Sequence, residues 1–426
     1  MPRRKTKVKD IKTIKGMSDI LPKDEKYWFL FWKAAAEVAE LHGFHYIETP
    51  ILEYADLFEL GIGSNTDIVE KEMYTFETKG GERVALRPEG TAPVMRSYVQ
   101  NHLGYFMSPV KLFYNGPMFR YENPQAGRER EFHQWGFEII GEYDVVYDFE
   151  IITMILEIFQ KLKLGDLSLK VNTIGCKVCR PAYRTKLKAY YRQHKKELCD
   201  DCKRRYERNI FRLLDCKVPT CVEITSKAPT IYNYLCHTCN QHFKSLLELL
   251  EDNNISYEPD PILVRGLDYY NRTVFEIFHK DFNFALAGGG RYDYLFEVIG
   301  GRPLPAVGGA IGIERVIEVM KKLGINWAGK NKNKLFIIAV GDQSKKHIPK
   351  IMAMLRQNGF IVLEALGKKS LSHQLKAADK AGVNLSLILG QKEIFEESII
   401  VRNMKTGVQE TVLQKQLVDF IKKNIK

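Results

Sequence analysis

The spacing of apolar residues along the chain predicts two long helices in its first half. At residues 24–41, Trp28, Phe31 and Val38 belong to a set of apolar positions that recur at helical spacing. A second helix is predicted at about residues 145–162. Short strand-like segments lie between the two helices, and LSLKVNTIG after the second helix predicts a strand that returns to the same sheet.

A different pattern begins after residues 327–334, where small, polar and basic residues predict a linker. Beyond it, the apolar segments LFIIAVG, FIVLEA and LSLILG alternate with predicted helices at about residues 346–357 and 371–381. Alternation of buried strands with helices is typical of a small α/β domain. The sequence therefore predicts such a domain at residues 335–426.

Residues 113–138 predict a strand, a turn and a returning strand, with Pro124 and Gly127 marking the turn. This arrangement places Arg120 and Glu138 on facing antiparallel strands and Arg128 at the tip between them. For Arg120 alone, an ordinary ion pair with Glu122 is the favoured interpretation, because surface ion pairs are common and nearly neutral in energy. Taken in sequence order with the other motifs, a functional role is favoured instead.

A second charged segment, VRGLDYYNRTVFEIF at residues 264–278, sets Arg265 and Glu276 among aromatic and β-branched residues. From Tyr270 onward its residues favour a strand. A charge on such a surface needs an opposite charge, and the natural partner of Arg265 is a phosphate. The alternative is a strand with one solvated face.

Two glycine-rich segments follow, AGGGRYD at residues 287–293 and PAVGGAIGIER at residues 305–315. Glycine and alanine let another group approach the backbone closely, and each segment leads to an arginine. A plain turn is the other interpretation of the glycines at 288–290. For Arg315, an ion pair with Glu314 is the simpler alternative.

Charge is distributed unevenly along the 426 residues, whose net charge is +12. Residues 1–15, 176–244 and 335–426 carry +6, +10 and +7, so the rest of the chain carries −11. Solvated basic faces would explain any one segment, but three of them around an acidic body suit a polyanion held at several points. No apolar run approaches the roughly 20 residues of a membrane helix, and no signal peptide is evident. We expect a soluble, cytoplasmic protein.

All eight cysteines fall within 64 residues of a polar and basic segment, three pairs of them in the spacing C-x-x-C. Reduced C-x-x-C pairs in a cytosolic protein suit tetrahedral thiolate zinc sites, which would stabilise a small domain. Free or redox-active thiols are the alternative. The candidate ligands for one or two zinc ions are Cys176, Cys179, Cys199, Cys202, Cys216, Cys221, Cys236 and Cys239.

These motifs resemble those of the class II aminoacyl-tRNA synthetases, and within them the histidyl-tRNA synthetases, over nearly the whole chain. Residues 43–53 (GFHYIETPILE) are similar to the first class motif, residues 119–138 to the second and residues 309–315 to the third. The segments RGLDYY and AGGGRYD resemble two segments particular to the histidine enzymes. Residues 87–92 (RPEGTA) are similar to the segment that meets the amino acid.

The resemblance implies an α+β fold with an antiparallel-sheet catalytic core. It also implies a homodimer formed around motif 1, where Pro50 lies. Combined with the shifts in composition, it divides the chain into a basic tail (residues 1–15), a catalytic core (16–175 and 245–326), an inserted small domain (176–244), a linker (327–334) and a C-terminal α/β anticodon-binding domain (335–426).

The implied activity is a histidine–tRNA ligase, which uses ATP and Mg²⁺ to make histidyl-adenylate and transfers histidine to the 3′ end of histidine tRNA. By resemblance, Arg120 and Arg265 would act on the α-phosphate from opposite sides. The other residues implied for ATP are Glu122, Arg128, Phe132, which would stack on adenine, and Arg315.

For histidine, the resemblance implies that Glu138 and Tyr270 meet the imidazole, while Glu89, Thr91 and Gln134 take the α-amino group. Tyr269 and Arg265 belong to the same pocket, and Gly288, Gly289 and Gly290 would let the adenylate approach the backbone. Thr91 and Gln134 taken alone would instead read as capping or turn residues.

One departure concerns tRNA. Asn123 stands where relatives often have a basic residue that helps to meet the acceptor end, which leaves Gln125 as the candidate there.

Two other functions stay open at this stage. One is a catalytically silent relative that regulates histidine biosynthesis, although such relatives usually lose the arginine motifs and the last domain, and both are present here. The other is a non-enzymatic, zinc-containing nucleic-acid binder, which charge and cysteines alone would favour. Histidine-dependent exchange of pyrophosphate into ATP separates the enzyme from both.

Overall fold

The structure is a computed structural model that describes residues 11–64, 66–125, 127–325, 334–367 and 370–424. It divides into two compact units, Met1–Asn326 and Trp327–Lys426. Most of the predicted basic tail, and all of the predicted linker except Lys334, lie outside the described residues. Among the described helices, none is both long enough and apolar enough to cross a membrane.

The first unit is built on an eight-stranded sheet with the order β1-β5-β6-β11-β10-β9-β7-β8, while β2, β4 and β3 form a small antiparallel sheet. In the large sheet, β1 runs parallel to β5 and β8 parallel to β7, and the other neighbours are antiparallel. The strands are β1 (His45–Tyr46), β2 (Leu52–Tyr54), β3 (Thr75–Glu77), β4 (Arg83–Leu86), β5 (Val110–Phe119), β6 (Glu131–Ile140), β7 (Leu167–Thr173), β8 (Glu258–Pro259), β9 (Asn271–His279), β10 (Ala285–Arg291) and β11 (Ala306–Gly312).

The α-helices of this unit are α1 (Glu25–Leu41), α2 (Ala55–Phe58), α3 (Thr91–Gln100), α4 (Val146–Lys161), α5 (Arg180–Gln193), α6 (Asp200–Arg208), α7 (Pro219–Ser226), α8 (His237–Asp252), α9 (Leu295–Val298) and α10 (Ile313–Lys322). Helices α1, α4, α8 and α10 bury apolar residues against one face of the large sheet in the main core. The predicted helices at 24–41 and 145–162 are confirmed as α1 and α4. The predicted returning strand is confirmed as β7, which pairs with β9.

The opposite face of the large sheet carries small side chains at its centre. The strand registers align Gly288, Ala310 and Gly136 in one row across β10, β11 and β6. The row continues to Glu276 on β9 at one side and to Tyr114 on β5 at the other. Because side chains of a strand alternate between the two faces, this row leaves a hollow above the sheet while the other face stays packed.

The cysteine-rich segment forms its own small core beside the main one. Tyr183, Leu187 and Tyr191 of α5 pack there with Cys202 of α6 and Cys221 of α7. Helix α8 then returns to the main core, where it buries Phe243, Leu246 and Leu250. The helix therefore runs through the predicted boundary at residue 244.

The second unit holds a five-stranded sheet of order β13-β12-β14-β15-β16, in which the first three strands are parallel. The predicted alternation of three apolar strands with helices at 346–357 and 371–381 is confirmed, although α11 begins four residues earlier. The antiparallel strands β15 and β16 complete the sheet. The elements are β12 (Lys334–Ala339), α11 (Asp342–Gln357), β13 (Ile361–Glu364), α12 (Leu371–Lys380), β14 (Leu385–Leu389), α13 (Gln391–Phe395), β15 (Ser398–Asn403), β16 (Gln409–Leu413) and α14 (Leu417–Asn424).

A fully buried ion pair ties the sheet of the first unit to α4. Arg291 at the end of β10 donates from Nε to Oδ2 of Asp148 on α4 at 3.0 Å and from Nη1 to Oδ1 of Asp293 at 3.3 Å. It also donates to the carbonyl oxygens of Glu142 and Asp144, each at 3.0 Å. The guanidinium therefore satisfies two buried carboxylates and two backbone carbonyl oxygens.

Arg291→Leu should lower the free energy of unfolding by about 3–5 kcal/mol, because it removes the guanidinium that donates to the buried Asp148 carboxylate and one of the donors to Asp293. Urea denaturation of the purified chain measures this. Lys280→Ala is the matched control, since Lys280 pairs with Asp166 at 3.3 Å on the surface and should cost less than about 1 kcal/mol. An Arg291→Leu protein as stable as the control would contradict the structural role of this pair.

Candidate active site

The hollow above the large sheet is a cavity of about 420 Å³. It is lined by side chains of the β5–β6 hairpin, of the segment that precedes β9 and of the first turn of α10. Three arginines that are distant in sequence, Arg120, Arg265 and Arg315, line it together. The residues singled out from the sequence that line the cavity are Glu89, Thr91, Arg120, Glu122, Arg128, Phe132, Gln134, Arg265, Tyr269, Tyr270, Gly288 and Arg315.

The β5–β6 hairpin forms the first part of the wall, and its predicted strand, turn and strand are confirmed. Arg120 follows β5 directly and donates from Nε to the carbonyl oxygen of Pro88 at 2.9 Å. Its guanidinium lies 5.2 Å from the centre of the Phe132 ring. Glu122 is 4.0 Å from Arg120 Nη1 and accepts from Arg128 Nη1 at 3.0 Å. One carboxylate thus stands between two guanidinium groups.

Arg315 lies in the first turn of α10, where two carbonyl oxygens fix it. It donates from Nε to Gly127 at 2.7 Å and from Nη1 to Ala285 at 2.9 Å. Burial lowers the pKa of Arg315, and the positive charges of Arg128 and Arg120 lower it further. A guanidinium among like charges is stabilised by any anion that enters the cavity.

The alternative of an Arg315–Glu314 ion pair is wrong. Glu314 instead accepts from the backbone N–H of His133 at 2.9 Å and contacts His133 Nδ1 at 2.7 Å. Adjacent residues on a helix point in different directions, so the Glu314 carboxylate contacts β6 while the Arg315 guanidinium contacts the hairpin loop and β10.

Arg265 enters from the opposite side of the cavity and pairs with Glu276 of β9. The guanidinium lies directly on Gly288, where a Cβ would come within 2.7 Å of Nη1. Within the described residues, the buried Nε of Arg265 has no hydrogen-bond partner. The interpretation of β9 as a strand with a solvated face is wrong, because its residues are buried or half-buried. Arg265 therefore keeps donor capacity for a ligand.

Glu89 and its neighbours form the floor beside α3. The two carboxylate oxygens of Glu89 accept the backbone N–H groups of Thr91 and Ala92, each at 2.8 Å, and so cap this helix. Tyr269 donates to Glu89 at 3.3 Å, and its ring centre is 4.7 Å from that of Tyr270. Burial raises the pKa of Glu89, which these backbone hydrogen bonds partly offset.

Glu138 is buried behind the cavity wall. Its Oε1 accepts from the hydroxyl groups of Thr91 at 2.8 Å and Tyr114 at 3.4 Å, and its Oε2 accepts from Tyr292. It sits over Gly308, where any side chain would overlap the carboxylate. Burial raises its pKa to about 8, while the hydrogen bonds from Tyr292 and Thr91 act in the opposite direction.

The glycines at 288–290 lie inside β10, so the alternative of a plain turn is wrong. Only Gly288 of the three lines the cavity. A Cβ at Gly289 would overlap the carbonyl oxygen of Gly308, and one at Gly290 would overlap that of Thr273. Gly289 and Gly290 therefore permit the close approach of the neighbouring strands β11 and β9.

Three other groups of predicted residues lie outside the cavity lining. Gln125 belongs to the hairpin loop, where its N–H and carbonyl pair with Arg128 at 3.2 and 2.8 Å. Pro50 is exposed between β1 and β2. The eight cysteines are free thiols that form two groups of four in and beside the inserted segment.

The residues that the sequence analysis missed are the partners that hold these side chains. They include Glu276 as the partner of Arg265, Tyr292 and Tyr114 as donors to Glu138, and Gly308 beneath that carboxylate. Glu138 itself was predicted, and it follows Phe132, Gln134 and Gly136 at alternate positions along β6. The cross-strand partners depend on register, which only the fold supplies.

The raised pKa of Glu138 predicts how stability depends on pH. Between the ordinary glutamate value of 4.5 and about 8, the folded chain binds a proton that the unfolded chain releases. This contribution to stability is full below pH 4.5 and is lost as pH rises through 8. Glu138→Gln should therefore flatten the fall in the urea midpoint between pH 5 and 8.

Tyr292→Phe is the informative companion variant. It removes a hydrogen bond that lowers the pKa of Glu138, so the fall in the urea midpoint should extend to higher pH. Equal slopes for wild type and Glu138→Gln across this range would contradict the account of a buried, proton-holding carboxylate.

Comparison with known proteins places this site in a family. A family model described as histidyl-tRNA synthetase matches residues 16–316, and one described as anticodon binding domain matches residues 334–424. The histidine–tRNA ligases of Thermosipho melanesiensis and Dehalococcoides mccartyi are 46% and 43% identical to this chain. These alignments cover 93% of this chain and 95% of the first relative, and 96% of this chain and 99% of the second.

The crystal structure of apo S. aureus histidyl-tRNA synthetase superimposes with a TM-score of 0.80 at 33% identity, covering 97% of this chain and 100% of that one. The predicted fold class, an antiparallel-sheet core with a separate anticodon-binding domain, is confirmed by these matches. The chain therefore belongs to the histidyl-tRNA synthetase family.

Proposed function

We infer that the chain is a histidine–tRNA ligase. In the first step, the carboxylate of histidine attacks the α-phosphorus of ATP, which forms histidyl-adenylate and expels pyrophosphate. In the second, a hydroxyl at the 3′ end of histidine tRNA attacks the carbonyl carbon of the adenylate and releases AMP. The observation that carries this inference is the convergence of Arg120, Arg265 and Arg315 on one cavity.

The cationic end of the cavity receives the triphosphate. Negative charge spreads over the phosphate oxygens as pyrophosphate leaves, and fixed guanidinium groups stabilise it without reorganising. Arg120 and Arg265 act on the α-phosphate from opposite walls, which makes them the catalytic residues. Arg128 and Arg315 hold the outer phosphates, and Phe132 stacks on adenine.

Mg²⁺ accompanies ATP at this end. When bound, it neutralises part of the phosphate charge and is held through phosphate oxygens with one or two carboxylates. Glu122 lines this end of the cavity and would supply such a carboxylate.

The polar floor of the cavity receives histidine. Glu89, Thr91 and Gln134 take the α-amino group, while Tyr270, Tyr269 and Glu138 face the imidazole side. A pocket that hydrogen-bonds its ligand can reject an analogue by as much as ~10⁴ to 10⁵, because buried polar groups would stay unmatched. Selection of histidine at this site then needs no separate editing activity.

The remaining parts of the chain serve tRNA and assembly. We assign residues 16–175 and 245–326 to the catalytic core and residues 335–426 to anticodon binding, with a cytoplasmic location. The basic insertion at 176–244 adds a polyanion-binding surface, and Gln125 is the candidate contact for the acceptor end. Such binding should weaken steeply with salt.

A homodimer is proposed around motif 1. Close to Pro50 in the sequence, the first unit exposes Tyr46 (52% exposed) and Tyr54 (60%), and Phe76 (47%) lies in the same cross-strand row as Tyr54. Exposed large apolar residues that lie together mark interaction surfaces. Sedimentation or light scattering of the full chain should give twice the chain mass, and Tyr54→Lys should shift the equilibrium toward monomer. A monomer at micromolar concentration would contradict this assignment.

Arg265→Ala should lower histidine-dependent ATP–pyrophosphate exchange by about 10²-fold or more, because it removes a donor that stabilises charge in the transition state. The control is Arg83→Ala, which removes an exposed guanidinium paired with Glu59 outside the cavity.

The possible outcomes test the activity and the role of Arg265 separately. If the wild-type chain catalyses exchange without added histidine, or catalyses no exchange at all, the proposed function is overturned. Wild-type exchange by Arg265→Ala would overturn the role of that residue while leaving the activity in place. Circular dichroism of the variant establishes that it is folded.

A further inference from the structure

The eight cysteines are divided between two places. A neck group, Cys176, Cys179, Cys236 and Cys239, lies where the insertion leaves β7 and where it returns through α8. An inner group, Cys199, Cys202, Cys216 and Cys221, lies within the small core of the insertion. In each group all four sulfur atoms lie within 4.8 Å of one another.

The sulfur spacing fits a tetrahedral metal ion. Zinc–sulfur bonds of about 2.3 Å at the tetrahedral angle place sulfur atoms about 3.8 Å apart. The distances here are 3.6 Å for Cys176–Cys179, 3.9 Å for Cys176–Cys236 and 3.8 Å for Cys199–Cys216. A disulfide requires about 2.05 Å. Four thiolates at these distances describe a metal cage.

Hydrogen bonds and charges around the sulfurs favour thiolates. Backbone N–H groups point at Cys176, Cys179, Cys199 and Cys221 with N···S distances of 3.1–3.4 Å. Zn²⁺ with four thiolates carries a net charge of −2. Basic residues directly follow four of the eight cysteines, at Lys177, Arg180, Lys203 and Lys217.

The neck group stands next to the segment that forms the histidine end of the cavity. Arg180 begins α5 directly after Cys179. It donates to the carbonyl oxygen of Ile174 at 3.1 Å and to that of Tyr270. Tyr294 packs against the cysteines from the other side. A fixed neck therefore fixes the backbone that carries Tyr270.

The inner group stands next to the other end of the same segment. Arg212, between Cys202 and Cys216, donates from Nη1 to the carbonyl oxygen of Arg265 at 3.1 Å. Asn209 donates to both carboxylate oxygens of Asp268 at 2.9 and 3.0 Å. These contacts brace the backbone on which Arg265 is mounted.

We propose that the chain binds two zinc ions, one in each cysteine group, and that they hold Arg180 and Arg212 as positioning residues against residues 265–270. The metal part stands apart from the proposed function. The positioning part rests on it, because it concerns the orientation of Arg265 and Tyr270 toward ATP and histidine.

Zinc content after challenge with EDTA tests the ligand sets. Wild type should keep two ions per chain. Cys176→Ala/Cys236→Ala and Cys199→Ala/Cys216→Ala should each keep one, because the other cage is complete. Cys176→Ala/Cys199→Ala damages both cages and should keep none. Retention of one ion by this last variant, or loss of both by the first two, would overturn the pairing.

Wild-type protein provides a readout that does not depend on how the variants fold. Co²⁺ added to metal-free chain under reducing conditions should give tetrahedral bands with thiolate charge-transfer absorption, saturating at two equivalents. Saturation at one equivalent or no thiolate band would overturn the proposal of two sites.

The kinetics of exchange test the positioning. Loss of the neck ion should raise KM for histidine about tenfold, the effect of losing a hydrogen bond worth about 1.4 kcal/mol, while KM for ATP changes little. Loss of the inner ion should instead lower kcat, because Arg265 acts in the chemical step. Arg204→Ala, an exposed change on α6, should leave zinc content and kinetics unchanged.

The two parts can fail separately. If the variants retain zinc as expected but the wild-type chain catalyses no exchange, only the proposed function is overturned. Wild-type kinetics in both single-ion variants, or normal exchange by the metal-free chain, would overturn the positioning. A wild-type chain that binds neither Zn²⁺ nor Co²⁺ would overturn the whole inference.

Discussion

The fold of the first unit holds several guanidinium groups around one small cavity. Burying like charges together is costly, and the fold offsets this cost with backbone carbonyls and carboxylates. Pro88 holds Arg120, Gly127 and Ala285 hold Arg315, and Glu276 holds Arg265. A site preorganised in this way stabilises phosphate charge without first rearranging its dipoles.

The sheet makes this arrangement possible by leaving its centre empty. The small residues Gly288 and Ala310 leave space above the sheet, and the Arg265 guanidinium packs against Gly288. One strand away, Gly308 gives Glu138 its place. A larger side chain at Gly288 would displace the Arg265 guanidinium, and one at Gly308 would displace the Glu138 carboxyl group. The glycine-rich strands thus shape the site from below, while the hairpin and α10 close it from the sides.

The sequence predicted much of this fold because its elements are local. The spacing of Trp28 and Phe31 defined α1, and Pro124 and Gly127 marked the turn of the hairpin. The hydrogen-bond partners of the site residues could not be predicted from local sequence. Arg315 donates to the carbonyl oxygen of Gly127, 188 residues away, and does not pair with its neighbour Glu314. The C-x-x-C pairs indicated metal ligands, but the association of Cys176 with Cys236 across 60 residues follows only from the return of α8 to the core.

In the proposed mechanism, guanidinium groups from distant parts of the chain act on one nucleotide. The most direct measurement is a crystal structure of the chain with a non-hydrolysable histidyl-adenylate analogue. We expect its phosphate oxygens within hydrogen-bond distance of both Arg120 and Arg265, and its imidazole next to Tyr270. An analogue bound outside this cavity, or one whose phosphate meets neither arginine, would contradict the account.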